Sequence, residues 1–199
     1  MKGSIMKRRD FIKLGIAGIT ATALTRQSQA LQFYPVKSDK KIAIVYGSWC
    51  GSTRDAAVWI CEGMGAIAQV FDVREKIELK GYDHIVIGGA IRSFTVSKEL
   101  QDFIQKNKEL LKGKVRGLFA VCGNMGNPIT PEVTKRFIDD HLAKLCEVSK
   151  VSGRVFRGRI TKSLMEPDVA KQMASFQDYD NLSRPECMSF GKEILESIK

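Results

Sequence analysis

The chain reads as an α/β domain built on a doubly wound, five-stranded parallel sheet of order 2-1-3-4-5, and three observations predict it. Compact apolar, β-rich runs alternate with helical stretches along most of the sequence, and parallel neighbours need such crossovers. The runs lack polar alternation, the pattern of strands covered on both faces. The first run ends in a Gly/Ser/Thr turn that opens directly into a helix, where doubly wound sheets place their ligand loops. A length of 199 residues suits one domain with a sizeable core better than two.

The first strand is Lys41-Ile42-Ala43-Ile44-Val45-Tyr46, ended by Gly47. Thr53 is placed to cap the helix that follows, in which Ala56, Ala57, Trp59, Ile60 and Met64 recur at helical spacing until Gly65. Residues 69–73 form the second predicted strand, and 85–87 the third, before Gly88-Gly89. Leu100, Phe103, Ile104 and Leu111 mark a helix over 97–112. The fourth strand spans 117–121 and is broken by Gly123. Thr130-Pro131-Glu132 starts a helix with Pro in its first turn and a stripe of Val133, Phe137, Ile138, Leu142 and Leu145. A fifth strand covers 151–160, weakened by Gly153 and Gly158. Residues 161–184 have the least legible pattern, with a short helix predicted at 167–176. Residues 186–198 form the closing helix. No internal repeat or low-complexity tract is present.

The composition, 44% hydrophobic and 27% charged, is that of an ordered globular protein. Half of the net charge of +10 lies in residues 1–30, where Lys2, Lys7, Arg8, Arg9, Lys13 and Arg26 face only Asp10. The rest is scattered, with clusters at Lys112, Lys114, Arg116 and at Arg154, Arg157, Arg159, Lys162. These describe a solvated basic face, or one that meets an anionic partner or makes peripheral contact with membrane headgroups. No aromatic interleaving or nucleic-acid motif accompanies them, which argues against DNA or RNA as partner. Cys50, Cys61, Cys122, Cys146 and Cys187 form neither C-x-x-C pairs nor a ligand spacing with His84 and His141, so no metal site is expected. The thiols read as small buried hydrophobes.

The first thirty residues have the layout of a secretory signal. Basic Lys7 to Lys13 precede an apolar run from Leu14 to Leu24, then polar Thr25 to Gln29 and Ala30. That run falls well short of the ~20 residues a membrane-spanning helix needs. Ser28 and Ala30 supply small residues at −3 and −1, so cleavage is expected after Ala30, leaving a linker at 31–40 and the domain at 41–199. Arg8-Arg9, with Phe11 and Lys13, resembles the twin-arginine consensus, with Lys7 in place of the small residue before the pair. The resemblance implies use of the twin-arginine export machinery and delivery of an already folded protein to the periplasm of a bacterium.

In the predicted sheet, ligand chemistry belongs to the loops after strands one, three and four. The first is Gly47-Ser48-Trp49-Cys50-Gly51-Ser52-Thr53. Its small residues let backbone N–H groups turn inward around a phosphate, the hydroxyls of Ser48, Ser52 and Thr53 add donors, and the helix start adds positive potential. The lysine of an NTPase loop and the G-x-G-x-x-G of a dinucleotide fold are both missing. Trp49-Cys50-Gly51 echoes a thioredoxin site, but Thr53 stands where its second cysteine would fall. The second loop is Gly88-Gly89-Ala90-Ile91-Arg92-Ser93-Phe94, and the third Cys122-Gly123-Asn124-Met125-Gly126.

The first loop resembles the flavodoxin phosphate loop [ST]-x-T-G-x-T. Ser48, Gly51 and Thr53 match, and Cys50 stands where Thr is usual. Tyr82-Asp83-His84-Ile85-Val86-Ile87-Gly88-Gly89-Ala90-Ile91-Arg92, with Phe103 beyond, is similar to the flavodoxin-like branch that includes oxygen-independent protoporphyrinogen dehydrogenase. The resemblance covers residues 41–160 and implies FMN as cofactor. Its phosphate would lie on Ser48 to Thr53, and its ring between Gly89 to Phe94 and Cys122 to Gly126. The aromatic residue that commonly stacks on the ring from the third loop is replaced by Asn124 and Met125. Arg92 is the candidate for favouring the anionic reduced ring and raising its potential. Cys50 and Cys122 could approach each other at the sheet edge.

The leading expectation is an exported FMN-dependent oxidoreductase, passing electrons between a donor and an acceptor such as a quinone or porphyrinogen. A non-enzymatic electron carrier that docks to redox partner proteins is the second. A flavin-free binding module on the same fold is the third.

Overall fold

The computed structural model describes residues 36–123, 128–165, 167–175 and 177–198. The leader at 1–30, the first half of the linker, and Asn124, Met125 and Gly126 lie outside the described residues. One parallel sheet holds the domain together: β1 (Ile42–Gly47), β2 (Gln69–Asp72), β3 (His84–Ile91), β4 (Val115–Cys122) and β5 (Ser152–Arg157), in the order β2-β1-β3-β4-β5. β1 pairs with β3 in the register Ile44↔Val86, and β3 with β4 as Gly88↔Phe119. The order reverses beside β1, as the sequence predicts.

Side chains alternate between two apolar layers, the period of two that a strand imposes. On one face, Ala43, Val45, Ile85, Ile87, Leu118 and Ala120 pack with Leu100 and Ile104 of α2 (Lys98–Lys106) and with Phe137, Ile138 and Leu142 of α4. That helix opens as α over Pro131–Thr134, winds as π over Lys135–Ala143 and closes as α over Lys144–Cys146. On the other face, Ile44, Val86, Phe119, Val121 and Phe156 pack with Ile60 of α1 (Ser52–Gly63) and with Phe190 and Ile194 of the closing helix, α6 (Arg184–Ser197). Full burial of such a side chain stabilises by about 1.5–3 kcal/mol. α1 and α6 touch through their backbones: a Cβ on Gly63 would run into Met188 O, and one on Gly191 into Ile60 O. Cys61, Cys122, Cys146 and Cys187 are buried, and no disulfide joins any of the five. Among the described residues no helix is long and apolar enough to cross a membrane.

Four elements differ from expectation. β3 does not stop at Ile87 but runs to Ile91, because Gly88 leaves room for the ring of Phe119, which any Cβ there would strike. The helix at 97–112 divides into α2 and α3 (Lys108–Leu111) at Asn107, whose side chain donates to Phe103 O at 2.8 Å and competes for the helical carbonyl. The closing helix starts two residues early, at Arg184, capped by Ser183.

The strand at 151–160 is the largest difference. β5 ends at Arg157, and Arg159–Ile160 leave the sheet as β6 to pair antiparallel with β7 (Tyr179–Asp180). β4 ends at Cys122, opposite Arg157, the last residue of β5. Gly158 N donates to Cys122 O at 2.9 Å and Asn181 N to Gly158 O at 3.1 Å. Between β6 and β7 lie a 3₁₀ turn at Lys162–Leu164 and α5 (Pro167–Gln172).

Candidate functional site

β1 and β3 carry their carboxyl ends to the same edge of the sheet, and the site grows there. After Gly47 the chain turns sharply, with Ser48 Oγ accepting the N–H of Gly51 at 3.1 Å. Gly51 has φ of 88°, left-handed backbone that costs a glycine little and other residues considerably more. α1 starts at once, with Gly51 in the cap position and no side chain bonded to the helix start. This corrects the expectation that Thr53 caps α1. Thr53 falls inside the first turn, is fully buried, and its hydroxyl has no partner. Three other helices are capped conventionally: Ser97, Thr130 and Ser183 each accept an N–H at the starts of α2, α4 and α6. In α1 the N–H groups of Ser52, Thr53 and Arg54 have no intrahelical or side-chain acceptor, the first helical bond running from Asp55 N to Gly51 O at 3.0 Å.

The second lip is the end of β3. Arg92 and Thr95 bond each other's backbones at 2.9 and 3.1 Å, closing a two-residue turn with Ser93 and Phe94 at φ of 49° and 64°. That is a mirror-image turn made without its usual glycine or asparagine. The Arg92 guanidinium lies 4.5 Å from the centre of the Trp49 ring, a cation–π contact that ties this lip to the first turn. On the far side of the turn, Val96 N donates to His141 Nε2 at 3.2 Å and Gln101 Nε2 to Val96 O at 2.8 Å. Burial pushes the His141 imidazole below its ordinary range, consistent with a neutral ring whose Nε2 accepts.

The third side comes from the end of the predicted fifth strand and from the stretch after it that sequence patterning left illegible. Arg159 is folded against the first turn: its carbonyl accepts from Ser52 Oγ at 3.4 Å, and Cys50 Sγ stands 4.0 Å from the same oxygen. Its side chain, 16% exposed, pairs with Asp55 on α1 and reaches Asp180 on β7 at 3.6 Å. Its Nε is buried without a partner. Tyr179 on β7 donates its hydroxyl to Gly123 O, which pins the excursion to the end of β4.

Together these parts enclose a cleft of about 350 Å³. Ser48, Trp49, Cys50, Ser52 and Thr53 form its floor; Ala90 to Ser93, with Val121 and Gly123, form its wall. Its roof is Arg159, Ile160, Met165, Val169, Gln172 and Met173.

Of the other residues singled out in the sequence, Gly51 lies beside the Arg159 guanidinium. Gly89 is buried within β3 against Val96 and Leu100. Cys122 is buried at the end of β4, and Phe94 points out of the cleft, 73% exposed. The roof was missed. Its signal was present in the spacing of four between Met165, Val169 and Met173, one side of a helical turn, and in Gly158, which breaks the strand just before Arg159.

The family profile described as "Flavodoxin domain" matches residues 43–176. Among solved structures, a flavodoxin from the domain Archaea is 16% identical, over 79% of this chain and 98% of that one, with a TM-score of 0.51. Flavodoxin 1 from Bacillus cereus is 18% identical over 80% of this chain and 100% of its own, with a TM-score of 0.52. A short-chain flavodoxin associated with a non-canonical PDU bacterial microcompartment is 13% identical over 80% and 99%, with a TM-score of 0.53. At these identities the likeness is one of fold. No curated protein sequence matches the chain.

Proposed function

The chain belongs to the flavodoxin domain family, and on that premise we propose that it binds FMN and transfers electrons through it. One observation carries the reading. At the switch point of the sheet, α1 starts uncapped over a left-handed glycine, and the buried Thr53 hydroxyl beside it has no partner. Donors gathered without acceptors are what a phosphate fills. The residues present fit the group: the first turn of α1 and Thr53 would hold the phosphate, with Trp49, Ala90 to Arg92 and the apolar roof bordering the ring. FMN, when bound, supplies reversible electron uptake, while the protein supplies position, charge and exclusion of water. Arg92 is the cation of the wall, held against Trp49.

For the exchange partner we favour a small acceptor such as a quinone or porphyrinogen. The likeness of Tyr82 to Arg92 to the protoporphyrinogen dehydrogenase branch supports this, as does the apolar roof of Met165, Val169 and Met173. A carrier that docks to protein partners is the second reading, favoured by Trp49 and Phe94, 42% and 73% exposed at the lip, as apolar surface a protein can cover. The twin-arginine-type leader belongs to the same proposal, placing the folded, loaded protein in the periplasm.

Purification from the periplasmic fraction of an expressing bacterium tests all of this. The expected product is yellow, releases FMN on denaturation and begins at Leu31. Turnover of a quinone or porphyrinogen then separates enzyme from carrier. A colourless protein that refuses added FMN would falsify the proposal; a yellow one recovered only from the cytoplasm with its leader intact would remove export alone.

A further inference from the structure

We propose that Arg159 is a phosphate-binding residue of the flavin site, reaching the turn before α1 from outside the parallel sheet and exchanging a carboxylate partner for the nucleotide's phosphate. The inference rests on the FMN reading above and adds to it a charged residue that the sheet itself does not supply.

Position is the first argument. A Cβ placed on Gly51 would lie 3.5 Å from Arg159 Nη2, so the guanidinium rests directly over the turn. The backbone of Arg159 is fastened there too, through Ser52 Oγ. The second argument is unmet bonding. Two buried side-chain groups of the cleft, Thr53 Oγ1 and Arg159 Nε, have no partner. Both can donate, as can the N–H groups of the first turn of α1, and Arg159 Nε can do nothing else. The missing partner is therefore rich in acceptors and negatively charged. A phosphate monoester meets that description, and a guanidinium is the side chain whose fork matches it.

Charge explains the present arrangement. Arg159 is held by Asp55, which also pairs with Arg54 at 3.0 Å, and by Asp180. Asp180 is the looser partner, half exposed and 3.6 Å away, and is the one an arriving phosphate displaces. The turn also contains Cys50, a weak donor, where a hydroxyl would bond an anion more strongly. Arg159 makes good that shortfall from the roof.

The test compares FMN with riboflavin, which lacks the phosphate, by fluorescence titration of the apoprotein. Arg159→Gln is expected to weaken FMN by at least about tenfold and riboflavin by less than about twofold, the scale of a lost charge-assisted hydrogen bond. Parallel weakening of both ligands would make Arg159 a strut for the β6–β7 excursion, and no change in either would remove it from the site; both outcomes overturn the inference. If Arg159→Gln does not fold, Arg159→Lys and Asp180→Asn decide. The lysine, which keeps the charge without the fork, should lower the preference for FMN over riboflavin by about threefold or more. Asp180→Asn, which frees the guanidinium, should tighten FMN and leave riboflavin unchanged. An unaltered preference in both variants overturns the proposal. Wild-type protein that binds neither flavin removes the FMN reading and this one with it; a wild type that prefers FMN, with variants that keep that preference, removes only the role of Arg159.

Discussion

Gly51 and Phe94 stand on opposite lips of one cleft, both in left-handed backbone, and the two turns reach that conformation by different means. At Gly51 the residue type removes the steric cost, the chain enters α1 directly, and donors are left converging on one point. At Ser93 and Phe94 the cost stands, roughly 1–2 kcal/mol for each residue forced into this region. The turn survives because its ends are held, by the Arg92–Thr95 backbone pair and by His141 and Gln101 gripping Val96. The first turn is shaped to receive an anion. The second is a strained tip that displays an aromatic ring to whatever approaches the cleft.

Gly51→Val strikes the comparison hardest, since a β-branched residue at positive φ is strained whatever the space around it. We expect a loss of about 2 kcal/mol in apoprotein stability, read by denaturant unfolding, together with weaker FMN binding. Unchanged stability would mean that the turn adjusts freely and is not pre-shaped. The tether of the second turn comes next. Val96 N–H needs His141 neutral, and burial keeps the folded-state pKa below the ordinary 6.5. Proton uptake therefore favours the unfolded chain: the bond's contribution, about 1 kcal/mol, is complete above pH 6.5 and lost as pH falls through the folded value. His84, lowered by burial and by Arg116, acts with the same sign. Unfolding midpoints at pH 7.5 and 5.5 should differ accordingly, and His141→Gln should flatten the difference. A slope that survives in that variant would assign the effect to His84. The smallest effect is a gain. Phe94→Gly releases strain, forfeits little burial and adds unfolded-state entropy, for a net stabilisation of about 0.5 kcal/mol. A destabilised variant would show that the Phe94 ring holds the turn rather than being held by it.

How far the site was legible follows from where its determinants lie along the chain. The turn Ser48 to Thr53 could be found because strand, small residues and helix start are contiguous, so its chemistry is written in six neighbouring letters. The Arg92 lip was half legible. Gly88-Gly89 suggested a break after Ile87, yet these glycines continue β3, and their smallness answers to Phe119, Val96 and Leu100. Thr53 was misplaced as a cap because a left-handed Gly51 shifts the helix start by two residues, a backbone choice that leaves no mark on composition.

The alternation of buried strands with amphipathic helices determined the sheet, its order and the edge at which a ligand would sit, because periodicity is local and each element carries its own. Only the tertiary structure decided what closes the cleft. Arg159 comes to rest on Gly51 because β4 and β5 end level, at Cys122 and Arg157, and the chain turns aside at Gly158, a consequence of where two strands end relative to each other. Contacts between residues a hundred positions apart impose no period on the sequence, so the roof over the turn had to be seen in the fold.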